Sequence, residues 1–308
     1  MDKITIREAL TEKDIEKFWT GLHEYHARDI FPDPDDEDRE YFLDDSQYRS
    51  QIDALHCREH DRSRYLFFDR NGEDIGFALA VIYDSEDGKC FLMEFCVFPE
   101  YRGKGCGSAC AEVFKAWAKE NGGKYIELNC DTEQRQRFWS RRGFVPNGCD
   151  EWGVKLMLLP PDEDVPFTIA PASDGGDWQL HKLLCGFLAE IGEESLDDES
   201  KQRLKDAIDS GNIRFFLAKR GFRAVGMCSV STYWSSFSCG EVGVFDDFYI
   251  EPAFRKKGIA KLLVSAAVEH CRKRGLASLC VSCADCDMEM YTHLDFDTKL
   301  GTNLVSII

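Results

Sequence analysis

The sequence contains no run of 18 apolar residues, a length that would suggest a membrane-spanning helix. Its first twenty residues, MDKITIREALTEKDIEKFWT, carry charges throughout and lack the apolar centre of a secretory signal. These two absences predict a cytoplasmic protein with no membrane partner. Hydrophobic residues make up 44% of the 308 positions, which is typical of a globular chain, and this length favours two domains over one.

Positive charge is scarce, because 38 basic side chains stand against 56 acidic ones and the net charge is −18. Both halves of the chain are acidic and would repel the phosphate backbone of a nucleic acid. We therefore expect no nucleic-acid partner. The negative field suits a cationic partner such as an amine, although charge that only keeps the protein soluble is an equal alternative.

No disulfide framework is expected, although the chain has 14 cysteines. Without a secretory signal, cysteines spread along a chain of this length should be reduced and mostly buried. The run Cys280, Cys283 and Cys286 has half of the spacing of a zinc site, and no second pair follows. Two histidine pairs have the helical spacing typical of a helix surface or core: His23/His26 and His56/His60. No metal is predicted.

The two halves of the chain resemble each other, which indicates a duplicated domain. The clearest match is between FCVFPEYRGKG at 95–105 and FYIEPAFRKKG at 248–258. Residues 161–166 are Pro-rich and acidic and cannot continue a helix or a central strand, so we interpret them as a linker between domains at 1–160 and 167–308. In each copy the predicted order is strand, helical region, three strands, helix, strand, helix, strand. This order predicts an α/β (α+β) fold with a mixed sheet in two tandem copies.

A loop between an apolar strand and an amphipathic helix occurs in both copies, as RGKGCG at Arg102–Gly107 and RKKGIA at Arg255–Ala260. Small residues leave room for a ligand near the backbone, and free N–H groups at the start of the helix form an anion-binding nest. The helix dipole and the basic side chains add positive charge. The pattern predicts a diphosphate site. It is neither a Walker loop nor a dinucleotide fingerprint, because Cys110 stands where the latter needs its third glycine.

Together with the preceding strands, EFCV at 94–97 and DFYI at 247–250, these loops resemble the GNAT superfamily of acyl-CoA-dependent N-acetyltransferases, as a tandem pair over nearly the whole chain. The resemblance implies acetyl-CoA as cosubstrate, with its diphosphate on the loop and its pantetheine arm hydrogen-bonded to the preceding strand. It places Val97 and Ile250 near the thioester, in a gap between that strand and the next. The implied coenzyme-binding residues are Cys96, Val97, Arg102, Gly103, Lys104, Gly105, Cys106 and Gly107 in the first copy, and Tyr249, Ile250, Arg255, Lys256, Lys257, Gly258, Ile259 and Ala260 in the second.

Family members commonly have a Tyr a few residues before a Gly-Phe pair. Tyr291 has this place in the second copy, whereas the first copy has Trp139 there. Where many members have an Asn somewhat earlier, the two copies have Thr132 and Ala284. A tyrosine is protonated at neutral pH and can donate to a departing thiolate, so Tyr291 is the candidate acid.

Acetyl transfer to an amine also needs a base, because an alkyl ammonium has a pKa of about 10. Glu94 and Asp247 each lie eight residues before the loop arginine, on the strand beside the thioester, and either is a candidate base. A backbone N–H of that strand, from Val97 or Ile250, is the candidate oxyanion donor. Because the first copy lacks a matching acid, we hypothesise that the second domain is catalytic. The first would then bind coenzyme for structure or regulation, or use water as its acid.

The sequence thus predicts an N-acetyltransferase that moves acetyl directly from acetyl-CoA to a primary amine. A small cationic acceptor is favoured over a protein N-terminus or lysine. The acidic segment 33–40 is expected either to line the mouth of the amine cleft or to be a solvated loop. The alternative from another class is a non-catalytic acyl-CoA-binding sensor or scaffold. A monomer or homodimer is expected.

Overall fold

A seven-stranded sheet and a five-stranded sheet form the centres of two units in the computed structural model, which describes residues 3–43, 47–150, 152–161 and 165–301. The first unit comprises residues 1–146 and 155–162, and the second comprises 147–154 and 163–308. Residues 147–154 thus group with the second unit, whereas the sequence analysis assigns them to the first domain.

The strands of the seven-stranded sheet are β1 (Ile4–Glu8), β2 (Ser63–Arg70), β3 (Glu73–Tyr83), β4 (Lys89–Val97), β5 (Tyr125–Asn129), β6 (Val145–Cys149) and β7 (Lys155–Leu159). The last three residues of β6 fall within the segment 147–154. The helices of the first unit are α1 (Glu12–Tyr25), continued by a π-helical turn (His26–Ile30), α2 (Arg39–Leu43), α3 (Tyr48–His56), α4 (Cys106–Glu120) and α5 (Glu133–Ser140). The first unit begins with strand β1 and three helices and continues through the three antiparallel strands β2, β3 and β4. Helix α4, strand β5, helix α5 and the strands β6 and β7 follow in that order. The strand order is β1-β2-β3-β4-β5-β7-β6, and β4 and β5 pair in parallel.

Both faces of this sheet are covered, which explains the continuous apolar sequence of β3. Phe77 and Leu79 belong to the core beneath α1, whereas Ala78 and Ala80 belong to the core beneath α4. Successive side chains of a strand point to opposite faces, so a strand between two helical layers must be apolar at every position. Each face of β3 therefore contributes to a separate core.

Helix α1 follows from local signals in the sequence. The side chain of Thr11 accepts the N–H of Asp14 and caps the helix start, and Phe18 and Leu22 are fully buried on one face. The helix ends in a wide π-helical turn, in which the N–H of Phe31 donates to the carbonyl of His26 over 2.8 Å. The π-helical turn at the end of α1 thus lies beside β4.

The second unit repeats this plan with a shorter sheet. Its strands are β8 (Phe167–Pro171), β9 (Ile213–Arg220), β10 (Arg223–Ser235), β11 (Gly240–Ile250) and β12 (Leu279–Val281). Its helices are α6 (Trp178–Ile191), α7 (Asp198–Asp209), α8 (Ile259–Lys273) and α9 (Met288–Thr292). The strand order is β12-β11-β10-β9-β8, with β11 and β12 parallel. The predicted mixed-sheet α/β (α+β) fold in two copies is confirmed.

The copies differ from the predicted order at their ends. The first unit ends in two strands, β6 and β7, where one was expected. In the second unit no strand follows α9 as far as residue 301, and the predicted last strand would continue into residues outside the described part of the chain.

Candidate functional site

A cleft of about 900 Å³ opens in the first unit where β4 and β5 separate. The two strands pair from Lys89 and Tyr125 only as far as Leu92 and Leu128, although β4 continues to Val97. The cleft is lined by this free part of β4, by the loop before α4, by residues before and within α5, and by the end of α1.

A β-bulge at Met93 redirects β4 at the point where the strands part. Leu79 of β3 pairs with Glu94 and the next residue, Ala80, pairs with Leu92, so Met93 is the extra residue. A bulge bends its strand and turns neighbouring side chains to new directions. The second unit has a bulge at the same place, between the pairs Met227–Tyr249 and Ser229–Asp246.

The loop before α4 has the backbone geometry of an anion site. Gly103 and Gly105 have φ angles of 72° and 80°, and a Cβ at either would meet no atom within 4 Å. Gly105 caps α4, so the first helical N–H groups face the open loop without a side-chain cap. The side chain of Cys106 is buried and Lys104 donates from Nζ to the Glu100 carbonyl over 2.9 Å, so the loop presents mainly backbone to the cleft.

The loop before α8 repeats this conformation with different residues. Lys256 and Gly258 have φ angles of 61° and 83°, at the two positions that correspond to the glycines of the first loop. The side chain of Ile259 is buried at the helix start, and Lys257 is exposed. A lysine in the left-handed conformation is unusual, so the repeated backbone is a property of the fold and not of glycine alone.

The loop arginines, which were predicted to bind coenzyme, are paired with carboxylates of their own unit. Arg102 donates from Nε to the Val97 carbonyl over 2.7 Å, and its two other nitrogens bind the Asp29 carboxylate at 2.6 and 3.0 Å. In the second unit Arg255 donates to the carbonyl of Ile250 over 2.8 Å and pairs with Glu190. Both guanidinium groups thus connect the end of a strand to the first long helical segment of their unit, through Asp29 in the first unit and Glu190 in the second.

Basic side chains that the sequence analysis did not select stand beside the first loop. Arg135 and Arg142 line the cleft, and Arg142 donates to the hydroxyl of Ser108 on the first turn of α4. Arg135 donates to the carbonyl of Asp29 over 3.1 Å. These cations belong to or follow α5, so only the fold brings them to the loop.

The free edge of β4 presents a backbone donor. The N–H of Phe98 donates to the carbonyl of Ile75 over 2.9 Å, across to β3. Since successive amides of a strand alternate in direction, the N–H of Val97 faces the gap between β4 and β5. In the second unit Glu251 donates to Val225 over 2.9 Å, so Ile250 is oriented in the same way.

Cys96 and Tyr249 occupy corresponding positions on these strands. Both side chains are buried against the first helical layer of their unit. Burial raises the pKa of the Cys96 thiol to about 12, so it stays protonated and is not a nucleophile. Burial also raises the pKa of Tyr249 above its ordinary value.

Glu94 brings a carboxylate to the cleft. Its Oε1 lies 2.8 Å from Nε2 of His26 and 3.5 Å from the hydroxyl of Tyr48, and its side chain keeps 13% of its surface exposed. The cleft wall around it is aromatic and includes Tyr25 and Phe31. A partly exposed carboxylate at the bend of β4 faces the space in which the strands part.

The family model of the acetyltransferase (GNAT) family matches residues 19–144 and again residues 178–296. The chain belongs to the GNAT family. The two matches correspond to the two copies, so the chain is a tandem GNAT protein, as the sequence predicts.

Solved structures similar to part of this chain include glucosamine-6-phosphate N-acetyltransferase from Arabidopsis thaliana, which is 18% identical with a TM-score of 0.39, over 46% of this chain and 98% of that one. A predicted acetyltransferase with acetyl-CoA from Clostridium acetobutylicum is 17% identical with a TM-score of 0.39, over 46% and 96%. An aminoglycoside acetyltransferase from an uncultured soil metagenomic sample is 16% identical with a TM-score of 0.41, over 46% and 95%. No curated protein matches the sequence.

In the second GNAT copy, Asp247 is part of the bulge of β11. Its φ angle is 47°, and its Oδ2 accepts a hydrogen bond of 2.6 Å from the hydroxyl of Ser229. Burial raises the pKa of Asp247, and the Ser229 hydrogen bond and the neighbouring Asp246 modify this effect in opposite directions. Asp247 is thus a half-buried carboxyl that accepts a hydrogen bond from a hydroxyl of its own sheet.

Tyr291, the candidate acid of the second copy, packs among aromatic rings. Its ring centre lies 6.2 Å from that of Phe248 and 5.9 Å from that of Phe296. Burial raises its pKa to about 12, so it carries its proton at neutral pH, as the proposed role requires. In the first copy Trp139 packs at 5.1 Å against Phe95, which corresponds to Phe248.

The acidic segment 33–40 adjoins the first cleft without being part of its wall. Phe31 and Phe42, on either side of the segment, line the cleft. Within the segment Asp33 and Asp36 accept the N–H groups of residues two positions later. The segment is therefore a turn-rich surface loop held beside the aromatic wall.

The sequence analysis did not select His26, which contacts Glu94. The only available signal was that His26 follows Leu22 by one helical turn on the buried face of α1. No group of three or more potential metal ligands occurs in the described parts of the chain. None of the helices in those parts is long and apolar enough to cross a membrane.

Proposed function

We propose that this GNAT protein transfers an acetyl group from acetyl-CoA directly to a primary amine, and that the first-unit cleft carries this reaction. The observation that supports the proposal most strongly is that one cleft contains an anion-binding loop, a free strand edge and the carboxylate of Glu94. Direct transfer needs these three features in one space and requires no covalent intermediate.

The cleft fits the chemical parts of acetyl-CoA. The diphosphate would lie over the open backbone of residues 103–108, next to Arg142 and Arg135. The pantetheine arm has amide groups that can pair with the free edge of β4, as an added strand would. The thioester would then lie at the bend of β4, where the N–H of Val97 faces the gap.

Glu94 is the proposed base. An alkyl ammonium must lose a proton before its nitrogen can attack, and a carboxylate acting through a water is a suitable acceptor. The N–H of Val97 would stabilise the negative charge that develops on the thioester oxygen. The departing thiolate would take its proton from water, because Trp139 stands where the second copy has a tyrosine.

A small cationic amine is the proposed acceptor, of the class of polyamines, aminoglycoside-like compounds or amino-acid amines. The protein has a net charge of −18, and six carboxyl residues lie between residues 33 and 40 beside the cleft wall. A negative field raises the local concentration of a cation. A protein N-terminus or a lysine side chain is the competing acceptor.

A thiol-release assay tests the proposal. Purified full-length protein is mixed with acetyl-CoA and, separately, spermidine, kanamycin, lysine amide and an N-terminal peptide, and the products are identified by mass spectrometry. Glu94→Gln should lower kcat/KM for the best acceptor about 100-fold, within the usual range for removal of a general base. Glu12→Gln, at an exposed carboxyl of α1, is the matched control and should behave like the wild type.

Binding of acetyl-CoA without turnover on any acceptor would contradict the proposal and favour a sensor or scaffold. Turnover that is insensitive to Glu94→Gln would leave the activity in place but remove Glu94 as its base.

A further inference from the structure

A buried histidine is in direct contact with the proposed base. His26 is 1% exposed, and its Nε2 lies 2.8 Å from Oε1 of Glu94. The two residues are 68 positions apart in the sequence, so the contact depends on the packing of α1 against β4. Few residues on the apolar face of a helix are histidines, and this one is directed at the single carboxylate at the bend of β4.

The π-helical turn determines where His26 is placed. The hydrogen bond from the Phe31 N–H to the His26 carbonyl spans five residues and widens the end of α1. A widened turn changes the direction of the side chains that it contains. Such turns are frequent at functional sites, and this one contains both His26 and Asp29.

Aromatic rings enclose the imidazole. The ring centres of Phe42, Tyr48 and Phe31 lie 5.5, 5.7 and 6.0 Å from that of His26. Rings on several sides leave the imidazole little freedom to rotate away from Glu94. The direction of Nε2 is therefore set by packing as well as by the hydrogen bond.

The hydrogen-bonding capacity of the groups determines the tautomer. An ionised carboxylate only accepts hydrogen bonds, so Nε2 of His26 must be the donor. The other ring nitrogen, Nδ1, is buried and has no partner among the described residues. A neutral imidazole protonated at Nε2 places only a lone pair at that site, which is less costly than an unpaired N–H.

We infer that His26 is a positioning residue: it holds the carboxylate of Glu94 in the orientation needed to accept the proton of the amine. This inference rests on the function proposed above. The hydroxyl of Tyr48, 3.5 Å from the same oxygen, is a weaker second support. Among the described residues no hydrogen bond to the other oxygen of Glu94 is formed, so that oxygen can face the acceptor amine or the water that connects them.

A double-mutant cycle tests the inference with the acceptor that gives the highest turnover in the thiol-release assay. His26→Leu should lower kcat about 10- to 100-fold, the effect expected for loss of one hydrogen bond to a charged group, while KM for acetyl-CoA changes little. In the Glu94→Gln background the same substitution should cause no further loss, because His26 acts through Glu94. Losses that multiply in the double variant would overturn the inference and indicate a merely structural role.

A conservative variant and a spectroscopic measurement complete the test. His26→Gln keeps a side-chain N–H donor at a similar reach and should recover most of the activity lost in His26→Leu, whereas Tyr48→Phe should cost less than His26→Leu. In ¹⁵N-histidine NMR spectra of the full chain, the ring of His26, assigned by its absence from His26→Gln, should show the tautomer protonated at Nε2. A ring protonated only at Nδ1 would overturn the inference whether or not the protein turns over. Absence of turnover in the wild type with the expected tautomer would instead count against the proposed function alone.

Discussion

The Asp29 carboxylate binds the Arg102 guanidinium through hydrogen bonds of 2.6 and 3.0 Å, and this pair joins the end of the first long helix to the loop before α4. Arg102 also holds the last carbonyl of β4, so one side chain connects three segments. Glu190 and Arg255 form the equivalent pair in the second unit. The motif arginine in each copy therefore ties the loop to the end of the preceding strand and to the first long helical segment of its unit.

Asp29→Asn should lower the stability of the protein at neutral pH and lower it less at acid pH. The hydrogen bond from Arg102 is the main cause that lowers the pKa of Asp29 from 3.8 to about 2. A carboxyl whose pKa is lower in the folded state stabilises the fold above its ordinary pKa, and this contribution is lost as the pH falls from about 4 towards 2. Thermal unfolding followed by circular dichroism should show the two proteins converging over that interval. A Tm difference that stays constant from neutral pH to acid would contradict the assignment.

Gly105→Ala and Gly258→Ala should each destabilise the protein by about 1 kcal/mol, because alanine pays a steric cost in the left-handed conformation that both positions adopt. Since both loops share this backbone, isothermal titration of the wild type with coenzyme A should give two sites. Gly105→Ala should lose the site on the first loop and Gly258→Ala the site on the second. Each variant keeps the other site and so serves as the control for the other. A single site that only Gly105→Ala removes would show that the second loop does not bind coenzyme.

Paired substitutions decide which unit carries turnover. The sequence-based hypothesis of a catalytic second domain expects Tyr291→Phe to lower turnover strongly while coenzyme binding is kept. The proposal for the first cleft expects Glu94→Gln to have the large effect and Tyr291→Phe to change kcat less than about twofold, since Tyr291 lies in the other unit. Steady-state kinetics on both variants under one set of conditions distinguish the two, and a strong loss in Tyr291→Phe alone would assign the reaction to the second unit.

Asp247→Asn should stabilise the protein at neutral pH if Asp247 has no catalytic task. Burial raises the pKa of Asp247 from 3.8, so the folded state favours its protonated form. The contribution of Asp247 to stability is fully present below its ordinary pKa, and it is lost as the pH rises through the higher pKa of the folded state. An asparagine amide stays neutral at every pH and does not lose this contribution. The free energy of unfolding in urea should therefore be higher for the variant at pH 7 and equal to the wild type near pH 3. Equal stability at both pH values would contradict the burial argument.

The fold was predictable to a large extent because its signals are local. The repeat of FCVFPEYRGKG as FYIEPAFRKKG identifies the strand, loop and helix of both copies. The family follows from the same residues. The end of each copy was less predictable, since the number of short final strands depends on which edge of the sheet is open.

The candidate site was predictable only in part. Glu94 was selected because its place in the motif puts it beside the thioester, but its partner could not be found in this way. His26 and Glu94 meet across 68 residues of sequence, and the role of Arg102 depends on Asp29, which precedes it by 73 positions. Nothing in the loop sequence itself indicates that the guanidinium of Arg102 pairs with a carboxylate of the first helical segment.

The amino-acid sequence by itself determined the family, the duplication and the positions of the two loops before α4 and α8, because turn residues and apolar periodicity act on neighbouring residues. The tertiary structure alone decided which carboxylate faces an open cleft, which tyrosine and histidine contact it, and which arginines are already paired. Those relationships arise when distant segments pack together, and the free energy of packing depends on side-chain shape and burial that no single segment contains.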